Sequence, residues 1–332
     1  MQNWGTGLAI TGSGSAAPGV SLSNAELSQW LETSDEWIST RTGIQARRLA
    51  SAPESLVTLA TAAAQQALAM ANLDPTELDL IVLATSTPDD LFGSACQVQA
   101  ALGAKQAVAF DMTAACSGFV FGLVTAAQFM RMGVYRNVLL IGADVLSRWV
   151  DWRDRRTCIL FGDGAGAVVL QAHEADQLLG FALQSDGSQN SCLNLAYQGQ
   201  ETPLTAEISV DQGRFTPITM NGQEVYRFAV RRVPEIIEKA LFHAGLTTAD
   251  IDWLLLHQAN QRILDAVAQR LSVPAEKVIS NLAQFGNTSA ASIPLALDAE
   301  VRQNRIQVGD CIAIAGFGAG LSWGAALFRW GR

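Results

Sequence analysis

ALAMANLDPTELDLIVLA, residues 67–84, is matched 173 positions later by ALFHAGLTTADIDWLLLH, residues 240–257. Ala, Leu, Ala, Leu, Asp and Leu are identical in the same order, and apolar residues match at several other positions. Each stretch runs from an Ala- and Leu-rich segment typical of a helix into a short apolar run typical of a buried strand. The chain therefore contains an internal repeat of a helix-to-strand unit.

A second pair of segments has the same spacing. NVLLIGA (137–143) falls on DCIAIAG (310–316) when the chain is shifted by the same amount. One shift that serves two separate segments predicts two similar α/β halves that pack together and share a cleft at their strand ends. The shift also brings Cys116 opposite Ser289, so we expect the small-residue segments around them to meet between the halves.

The rest of the chain follows the same alternation of apolar and Ala-rich runs. Apolar runs bounded by turn residues predict buried strands, and the Ala-rich stretches between them predict helices. The strand candidates are LDLIVLAT (78–85), RNVLLIGAD (136–144), IDWLLLHQ (251–258) and DCIAIAGFG (310–318). We expect an α/β fold with halves at residues 1–172 and 173–332, and an irregular insertion in the polar stretch 185–216.

Composition and charge exclude several classes of protein. The 332 residues are 49% hydrophobic and 16% charged, which suits a large core. No apolar run reaches the ~20 residues of a membrane helix, and MQNWGTGLAI does not resemble a signal peptide, so we expect a cytoplasmic protein without membrane contact. A net charge of -9 disfavours nucleic acid binding. The five dispersed cysteines predict neither a disulfide framework nor a metal site.

Cys116 lies in DMTAACSGF (111–119), where small residues give way to an apolar stretch. If a helix begins at about Ser117, the unpaired N–H groups and the dipole at its N-terminus favour a thiolate and lower the pKa of this cysteine. Such a thiolate is a nucleophile. An ordinary buried cysteine is the alternative that this local sequence leaves open.

His257 and Asn287 are two further candidates for chemistry. His257 follows the predicted strand WLLL, at the carboxyl end where α/β proteins place reactive groups. Asn287, in GNTSAAS, carries an amide that can donate a hydrogen bond to a developing oxyanion. A structural histidine, and an asparagine that caps a helix or a turn, are the alternatives.

Six segments together resemble one family. They are SDEWISTRTGI (34–44), DMTAACSGF (111–119), FGDGAGA (161–167), HQANQRI (257–263), GNTSAASIP (286–294) and FGAGLSWG (317–324). Their order and spacing are similar to those of β-ketoacyl-acyl carrier protein synthase III, the initiating condensing enzyme of fatty acid synthesis. The resemblance implies a thiolase-like fold, with two duplicated halves in a five-layered α-β-α-β-α arrangement, in a homodimer.

The resemblance also implies a reaction and its residues. Cys116 takes the acyl group of an acyl-CoA primer, and the acyl group then condenses with malonyl-acyl carrier protein as carbon dioxide is lost. His257 Nε2 and the Asn287 amide stabilise the enolate, while backbone N–H groups of Cys116 and Ala319 form the oxyanion hole. Ala319 stands where the family commonly has a glycine, so its φ must suit a Cβ atom. Acyl-CoA is a substrate, and no cofactor or metal is implied.

Four positions correspond to CoA contacts of the family. Trp37 and Arg155 match the pair that flanks the adenine. Arg41 corresponds to a residue near the phosphates, and Asn260 to one beside the pantetheine arm. A helix-face tryptophan and surface arginines without a ligand are the alternative for these positions.

Four more positions concern the carrier protein and the acyl chain. Arg262 and Arg227 match positions that dock the acidic carrier protein, although a solvated helix face is the alternative. Leu91, with Phe92 beside it, corresponds to the residue that closes the acyl pocket of the other subunit. We expect acetyl-CoA as the main primer, with propionyl or butyryl groups tolerated.

Four rival functions are weighed against this one. An elongating condensing enzyme uses two histidines, but His173 and His243 lie outside any matching motif. A biosynthetic thiolase has a second cysteine in a C-terminal glycine-rich turn, which GFGAGLSWG lacks. A condensing enzyme of secondary metabolism and a noncatalytic subunit that shapes a partner's tunnel remain as alternatives.

Overall fold

The computed structural model describes residues 7–331. The helices of this range are α1 (Asn24–Leu27), α2 (Asp35–Thr42), α3 (Leu56–Ala71), α4 (Ala95–Leu102), α5 (Gly118–Arg131), α6 (Gly222–Ala244), α7 (Gln261–Leu271), α8 (Leu282–Phe285) and α9 (Ser292–Arg302). The strands are β1 (Gly7–Ala16), β2 (Val20–Ser23), β3 (Ala46–Leu49), β4 (Leu80–Ala84), β5 (Val108–Met112), β6 (Asn137–Val145), β7 (Asp163–His173), β8 (Leu178–Ser185), β9 (Leu193–Asn194), β10 (Tyr197–Pro203), β11 (Ser209–Phe215), β12 (Thr219–Met220), β13 (Trp253–Leu256), β14 (Cys311–Gly318) and β15 (Ser322–Arg329). The four strands expected from apolar runs are confirmed as β4, β6, β13 and β14.

Two sheets with matching strand order form the body of the protein. The first has the order β1-β7-β6-β4-β5, and the second has the order β8-β15-β14-β13. In the first sheet β4, β5 and β6 run parallel, and in the second sheet β13 and β14 do. The remaining neighbouring strands pair antiparallel. Val278 forms a parallel bridge to β13, at the place that β5 occupies beside β4. The predicted duplication is confirmed, and the chain passes from one sheet to the other between His173 and Leu178.

The repeat departs from a constant shift by a single position. The strand starts Leu80 and Trp253 keep the predicted spacing, but their parallel partners Val138 and Ile312 lie one position further apart along the chain. The starts of α5 and α9, the helices that precede these partner strands, have this longer spacing too. The match of NVLLIGA to DCIAIAG was therefore wrong by one position, and Cys116 corresponds to Ala290.

Helices fill three layers around the two sheets. Phe119 of α5 and Ile293 of α9 pack in one core cluster with Leu140 of the first sheet and Ile314 of the second. These two helices therefore lie between the sheets. Helices α3 and α4 cover the outer face of the first sheet, and α6 and α7 cover that of the second. The five-layered thiolase-like arrangement is confirmed.

The polar stretch 185–216 is more regular than expected. Strands β10 and β11 pair in full register as an antiparallel hairpin, and β9 pairs with β12. Most hairpin residues are exposed on both faces, so their sequence has no apolar alternation that would predict strands. At the base of the hairpin, Phe215 packs edge-on against Trp149 at 6.1 Å.

Between residues 7 and 331, none of the helices combines the length and the apolar character that crossing a bilayer requires.

Candidate active site

Cys116 lies in a 3-10 turn, Ala115–Ser117, that leads directly into α5. The helix start predicted at about Ser117 is confirmed to within one residue. The side chain is buried, and the end of β14 packs directly on it. A Cβ atom at Gly318 would lie 2.9 Å from Cys116 Cβ and 3.2 Å from its sulfur. The close approach of the two halves at this point therefore requires a glycine.

The protonation of Cys116 differs from the prediction. Burial raises the pKa of the thiol to about 12, because a thiolate loses its hydration there. A hydrogen bond with the Ser289 side chain acts in the opposite direction, and the charge of Asp144 adds to the rise. The expectation that the helix N-terminus lowers this pKa was wrong. The thiol is protonated at neutral pH and must lose its proton as it attacks.

His257 follows β13 and is buried. Its Nδ1 lies 2.7 Å from the Ser292 hydroxyl, which also accepts the Gln258 backbone N–H at 3.3 Å. When this hydroxyl donates its proton to Nδ1, the ring proton sits on Nε2, which is the tautomer that the predicted role needs. Burial lowers the pKa of His257 to about 3. The ring is therefore neutral at neutral pH.

Asn287 is held by backbone bonds to the loop before β7. Its N–H donates to the Leu160 carbonyl at 2.9 Å, and its own carbonyl accepts the Gly162 N–H at 3.0 Å. The side-chain Oδ1 accepts the Ser289 N–H at 2.9 Å. Because Oδ1 faces the Ser289 N–H, the NH2 group of the Asn287 amide is on the side that faces away from Ser289 N.

Ser289 connects the three candidates. Its side chain lowers the pKa of the Cys116 thiol, its backbone raises the pKa of the His257 ring, and its N–H donates to Asn287 Oδ1 at 2.9 Å. The structure therefore brings Cys116, His257 and Asn287 together at the junction of the two halves. The predicted meeting of the two small-residue segments is confirmed, but the role of Ser289 in linking them was missed.

A cavity of about 910 Å³ opens at this junction. Cys116, Ser289 and Ala319 line it. Among the described residues, Ala319 is not one of the non-glycine residues with positive φ, and the strained position of its turn is taken by Gly320, with φ of 130°. A Cβ atom at position 319 therefore fits this backbone, and both predicted oxyanion-hole residues border the cavity.

The predicted acyl-pocket residues have different positions. Leu91 lines the cavity although it is 79% exposed, whereas Phe92 is 100% exposed and does not line it. Sequence reasoning missed most of the apolar wall, because all of its members except Phe161 come from segments with no motif. They are Phe121, Leu146, Trp149, Phe161, Leu193, Leu195, Phe215 and Ile218.

Three of the four predicted CoA residues form one cluster. The Arg41 and Arg155 guanidinium carbons lie 4.5 Å and 5.2 Å from the centre of the Trp37 ring. Asn260 caps the start of α7 and donates to the Arg41 carbonyl at 3.1 Å. A ring stacked between Trp37 and Arg155 needs about 7 Å, since each stacking contact takes ~3.5 Å. For the predicted stack to form, the Arg155 side chain would have to move further from the Trp37 ring, so that an adenine could lie between them.

The predicted docking arginines are exposed on neighbouring helices. Arg262 lies in the first turn of α7, and Arg227 of α6 pairs with Glu224 at 2.8 Å. Sequence reasoning did not find the other basic side chains of this surface. Around Glu235 these are Arg231, Arg232 and Arg270.

The other histidines and cysteines lie apart from this junction. His173 and His243 bond to the carbonyls of Ala175 and Phe181. The five cysteines are free. Within the described range, no group of three or more His, Cys, Asp or Glu side chains is arranged to hold a metal ion.

A duplicated five-layered fold with a cysteine, a histidine and an asparagine at the junction of its halves defines a thiolase-like condensing enzyme. Two family models match the chain: 3-oxoacyl-[acyl-carrier-protein] synthase III at residues 110–187, and the C-terminal model of the same family at residues 241–330. The chain belongs to the β-ketoacyl-[acyl-carrier-protein] synthase III family. It is therefore an acyltransferase of the condensing class that acts in the initiating condensation of fatty acid synthesis.

Relatives and solved structures agree with this assignment. The chain is 71% identical to the β-ketoacyl-[acyl-carrier-protein] synthase III of Acaryochloris marina over the full length of both proteins. The crystal structure of 3-oxoacyl-[acyl-carrier-protein] synthase III from Aquifex aeolicus superposes with a TM-score of 0.90 at 44% identity, over 98% of this chain and 100% of the other. The priming β-ketosynthase of the R1128 polyketide pathway has the same TM-score at 35% identity, over 98% and 97%.

Proposed function

We propose that the protein condenses an acyl-CoA primer, mainly acetyl-CoA, with malonyl-acyl carrier protein through an acyl group on Cys116. The observation that carries this proposal is the convergence of Cys116, His257 and Asn287 on Ser289 beside one cavity. A nucleophile and two neutral donors are the groups that transacylation followed by decarboxylation requires.

In the first half-reaction, Cys116 Sγ bonds to the thioester carbon of the primer. The carbonyl electrons move to the oxygen, which accepts hydrogen bonds from the N–H groups of Cys116 and Ala319. When the carbonyl re-forms, the bond to the CoA sulfur breaks, and CoA leaves as a thiol that carries the proton lost by Cys116. The burial of the thiol and its place on the cavity wall support this order of events.

In the second half-reaction, malonyl-acyl carrier protein loses carbon dioxide, and its electrons form an enolate. His257 Nε2–H and the Asn287 NH2 group donate to the thioester oxygen as its charge develops. The enolate carbon then attacks the acyl-Cys116 carbon, and the Cys116 sulfur leaves and is protonated. The depressed pKa of His257 supports this role, because a neutral ring keeps a single defined donor.

CoA binds along the cluster of Trp37, Arg41, Arg155 and Asn260. The guanidinium groups supply positive charge for the phosphates, and the indole and guanidinium planes suit stacking on adenine. Arg156, which stands where the family commonly has a glycine, is held by Asp154 through a bond of 2.8 Å and is therefore partly neutralised.

The acidic carrier protein docks on the basic surface of α6 and α7, which holds Arg227 and Arg262. The same helices also carry Arg231, Arg232, Lys239 and Arg270, against Glu224, Glu235, Glu238 and Asp265. This surface is therefore positive in a chain whose net charge is -9, and it gives an acidic partner a local target.

A second copy of the chain completes the enzyme as a homodimer. Strand β5 forms an edge of the first sheet. Val108 on this strand is 50% exposed, and Phe129, whose ring lies 6.4 Å from that of Phe110 on β5, is 40% exposed. Leu91 and Phe92 extend from the adjacent loop, where they would reach the acyl pocket of the partner. Leucine at position 91 is smaller than the phenylalanine that the family commonly has there, so propionyl and butyryl groups are tolerated beside acetyl-CoA, which we propose as the main primer.

The remaining features of the proposed enzyme concern its surroundings and organisation. We place it in the cytoplasm, with neither a nucleic acid nor a membrane as partner, without a cofactor or a metal, and with halves at residues 1–172 and 173–332. The 71% identity to a fatty acid enzyme, against 35% to a polyketide one, favours fatty acid synthesis over secondary metabolism.

The test is to incubate the protein with acetyl-CoA, measure its intact mass, and then add malonyl-acyl carrier protein. An acetyl adduct on the Cys116 peptide, followed by formation of acetoacetyl-acyl carrier protein, is expected. If no adduct forms with acetyl-, propionyl- or butyryl-CoA, the proposed primer and intermediate are wrong.

A further inference from the structure

Ser292 is a buried serine beside His257, and the reaction above gives it no role. It is the first residue of α9, and both Ser292 and His257 are only 1% exposed. The Ser292 hydroxyl oxygen lies 2.7 Å from His257 Nδ1, which is within hydrogen-bond range. Whichever of the two groups donates in this contact decides which nitrogen of the ring carries the proton.

The backbone of Gln258 favours one direction for this hydrogen bond. Its N–H donates to the Ser292 hydroxyl oxygen at 3.3 Å, so the hydroxyl already accepts one bond. If the ring also donated a proton from Nδ1, the hydroxyl proton would need a further acceptor. Within residues 7–331 the Ser292 hydroxyl makes no third hydrogen bond. Donation from the hydroxyl to Nδ1 therefore leaves none of these buried polar groups unpaired.

Other hydroxyls in the helices of this chain are used differently. Ser39 and Thr42 of α2 donate to the carbonyl oxygens of Asp35 and Ile38, four residues earlier, both at 2.7 Å. Such a carbonyl is the usual local acceptor for a hydroxyl within a helix. Ser292 lies in the first turn of α9, and its hydroxyl is paired with the His257 ring instead. Its proton is therefore available to Nδ1.

Gln258 is itself held in place by its side chain. The amide is fully buried, and its NH2 group donates to the carbonyl oxygens of Leu256 at 2.7 Å and Ile279 at 3.3 Å. Its Oε1 accepts the Asn281 N–H at 3.2 Å. These bonds join the end of β13 to the segment before α8, so the N–H that reaches Ser292 has a fixed position.

We propose that Ser292 is a positioning residue that fixes His257 as an Nε2–H donor. Its hydroxyl donates to Nδ1, so the ring proton stays on Nε2, from which it is donated to the thioester oxygen in the second half-reaction. Ser292 transfers no proton and forms no covalent bond, and it acts only through the ring. The inference rests on the proposed function, because it names the residue that prepares one of the two enolate donors.

The first measurement is the tautomer of His257, read from nitrogen NMR spectra of protein with isotopically labelled histidine. The chain has three histidines, so the ring signals are few, and those missing from His257→Ala belong to His257. The wild type near neutral pH should show the Nε2–H form. In Ser292→Ala the Nδ1 signal should shift, because it loses its donor, and the Nδ1–H form should appear beside the other. A wild-type ring protonated at Nδ1 would overturn the proposal.

The second measurement separates the half-reactions in Ser292→Ala. The variant is first acetylated by acetyl-CoA, and carbon dioxide release from malonyl-acyl carrier protein is then followed. The adduct should form at the wild-type rate, which also shows that the variant is folded. Decarboxylation should fall about 10- to 100-fold, the range known for metal-bound histidines that lose an orienting partner.

Ser13→Ala is the matched control. Ser13 is also a buried serine, and its hydroxyl donates to the buried Asp298 at 2.8 Å, away from the His257 ring. Its loss removes a buried serine hydroxyl of the same kind. The His257 signals and the rates of both half-reactions should therefore remain those of the wild type.

The inference and the proposed function fail differently. If the wild type completes both half-reactions and Ser292→Ala keeps either its tautomer or its decarboxylation rate, Ser292 does not position the ring, and the acyl-enzyme stands. If acylation and decarboxylation fall by the same factor in Ser292→Ala, the loss is general and the positioning role is wrong. If the wild type forms no adduct, the proposed function fails, and the spectra alone decide whether Ser292 sets the tautomer.

Discussion

The two turns that meet at the centre of the molecule have the same architecture and different chemistry. Ala115–Ser117 precedes α5, and Ser289–Ala291 precedes α9. The first residue of each turn is in the left-handed region, with φ of 48° and 52°. In the first turn the next residue is the nucleophile, whereas the second turn places Ala290 there and carries its hydroxyl one residue earlier.

The two sheets pack on these turns in the same symmetric way. Gly142 of β6 and Gly316 of β14 have the same spacing along the chain as the two turns, and each lies against the turn of the opposite half. A Cβ atom at Gly142 would come 2.2 Å from the Ala290 carbonyl oxygen, and one at Gly316 would come 2.9 Å from Ser117 Cα. Duplication therefore supplied a symmetric scaffold, and a few unlike side chains on it supply the chemistry: a nucleophile from one half and its supporting donors from the other.

Among the variants, Cys116→Ser is expected to cause the largest loss of condensation activity. A hydroxyl is hardly ionised and is a weaker nucleophile, so overall condensation should fall roughly 10⁴- to 10⁶-fold. The fold should persist, since the two side chains have similar size. Steady-state formation of acetoacetyl-acyl carrier protein, with circular dichroism as the control, measures both. An active Cys116→Ser variant would remove Cys116 as the nucleophile.

The packing symmetry is tested by Gly142→Ala and Gly316→Ala. Both should lower the free energy of unfolding, by ~1–3 kcal/mol for overpacking of this kind. Gly142→Ala should cost more, because its conflict is closer and with a backbone carbonyl. Denaturant unfolding curves of the two variants give the ranking. Equal stability of both variants and the wild type would mean that the turns do not pack as closely as described.

The basic surface lies outside both turns, and its variants should have smaller effects. Arg262→Ala and Arg227→Ala should each raise the KM for malonyl-acyl carrier protein about two- to fivefold, as expected for exposed charges. The acylation rate with acetyl-CoA is the internal control and should not change. A matching loss in acylation would place these arginines in primer binding instead.

The smallest effect is expected in the pH dependence of decarboxylation, in which His257 takes part. Because burial lowers the pKa of His257 to about 3, the ring stays neutral well below its ordinary range. The pH–rate profile of malonyl decarboxylation by the preformed acyl-enzyme should therefore show no titration of a histidine near pH 6.5. Stability should respond instead. Below about pH 6.5 His257 is protonated in the unfolded chain but not in the folded chain, where its pKa is about 3. The free energy of unfolding therefore falls as the pH drops below about 6.5.

How much of this the sequence predicts depends on whether a feature is local. The strands, the helix start near Ser117 and the duplication follow from periodicity and from the match between the two halves. The one-position slip between β6 and β14 was missed because short apolar segments of low identity align almost equally well in two registers. The hairpin β10–β11 was missed because both of its faces are exposed.

Features that depend on contacts between the halves were predicted less well. The N-terminus of α5 suggested a lowered pKa for Cys116, but the packing of Gly318 on the thiol excludes water, and burial dominates. Ser289 lies within GNTSAASIP (286–294), but its sequence context gives it no role until the fold brings it to the nucleophile. The sequence placed Cys116, His257 and Asn287 as candidates, and the structure supplied the connection between them.

The most direct test of the division between the two turns separates the half-reactions in one set of proteins. The acetyl adduct on Cys116 and the release of carbon dioxide from malonyl-acyl carrier protein are measured for the wild type, His257→Ala and Asn287→Ala. Both variants should form the adduct at the wild-type rate while decarboxylation falls ~100- to 1000-fold. Normal decarboxylation in either variant, or loss of the adduct in both, would contradict the assignment of the nucleophile to one half and the enolate donors to the other.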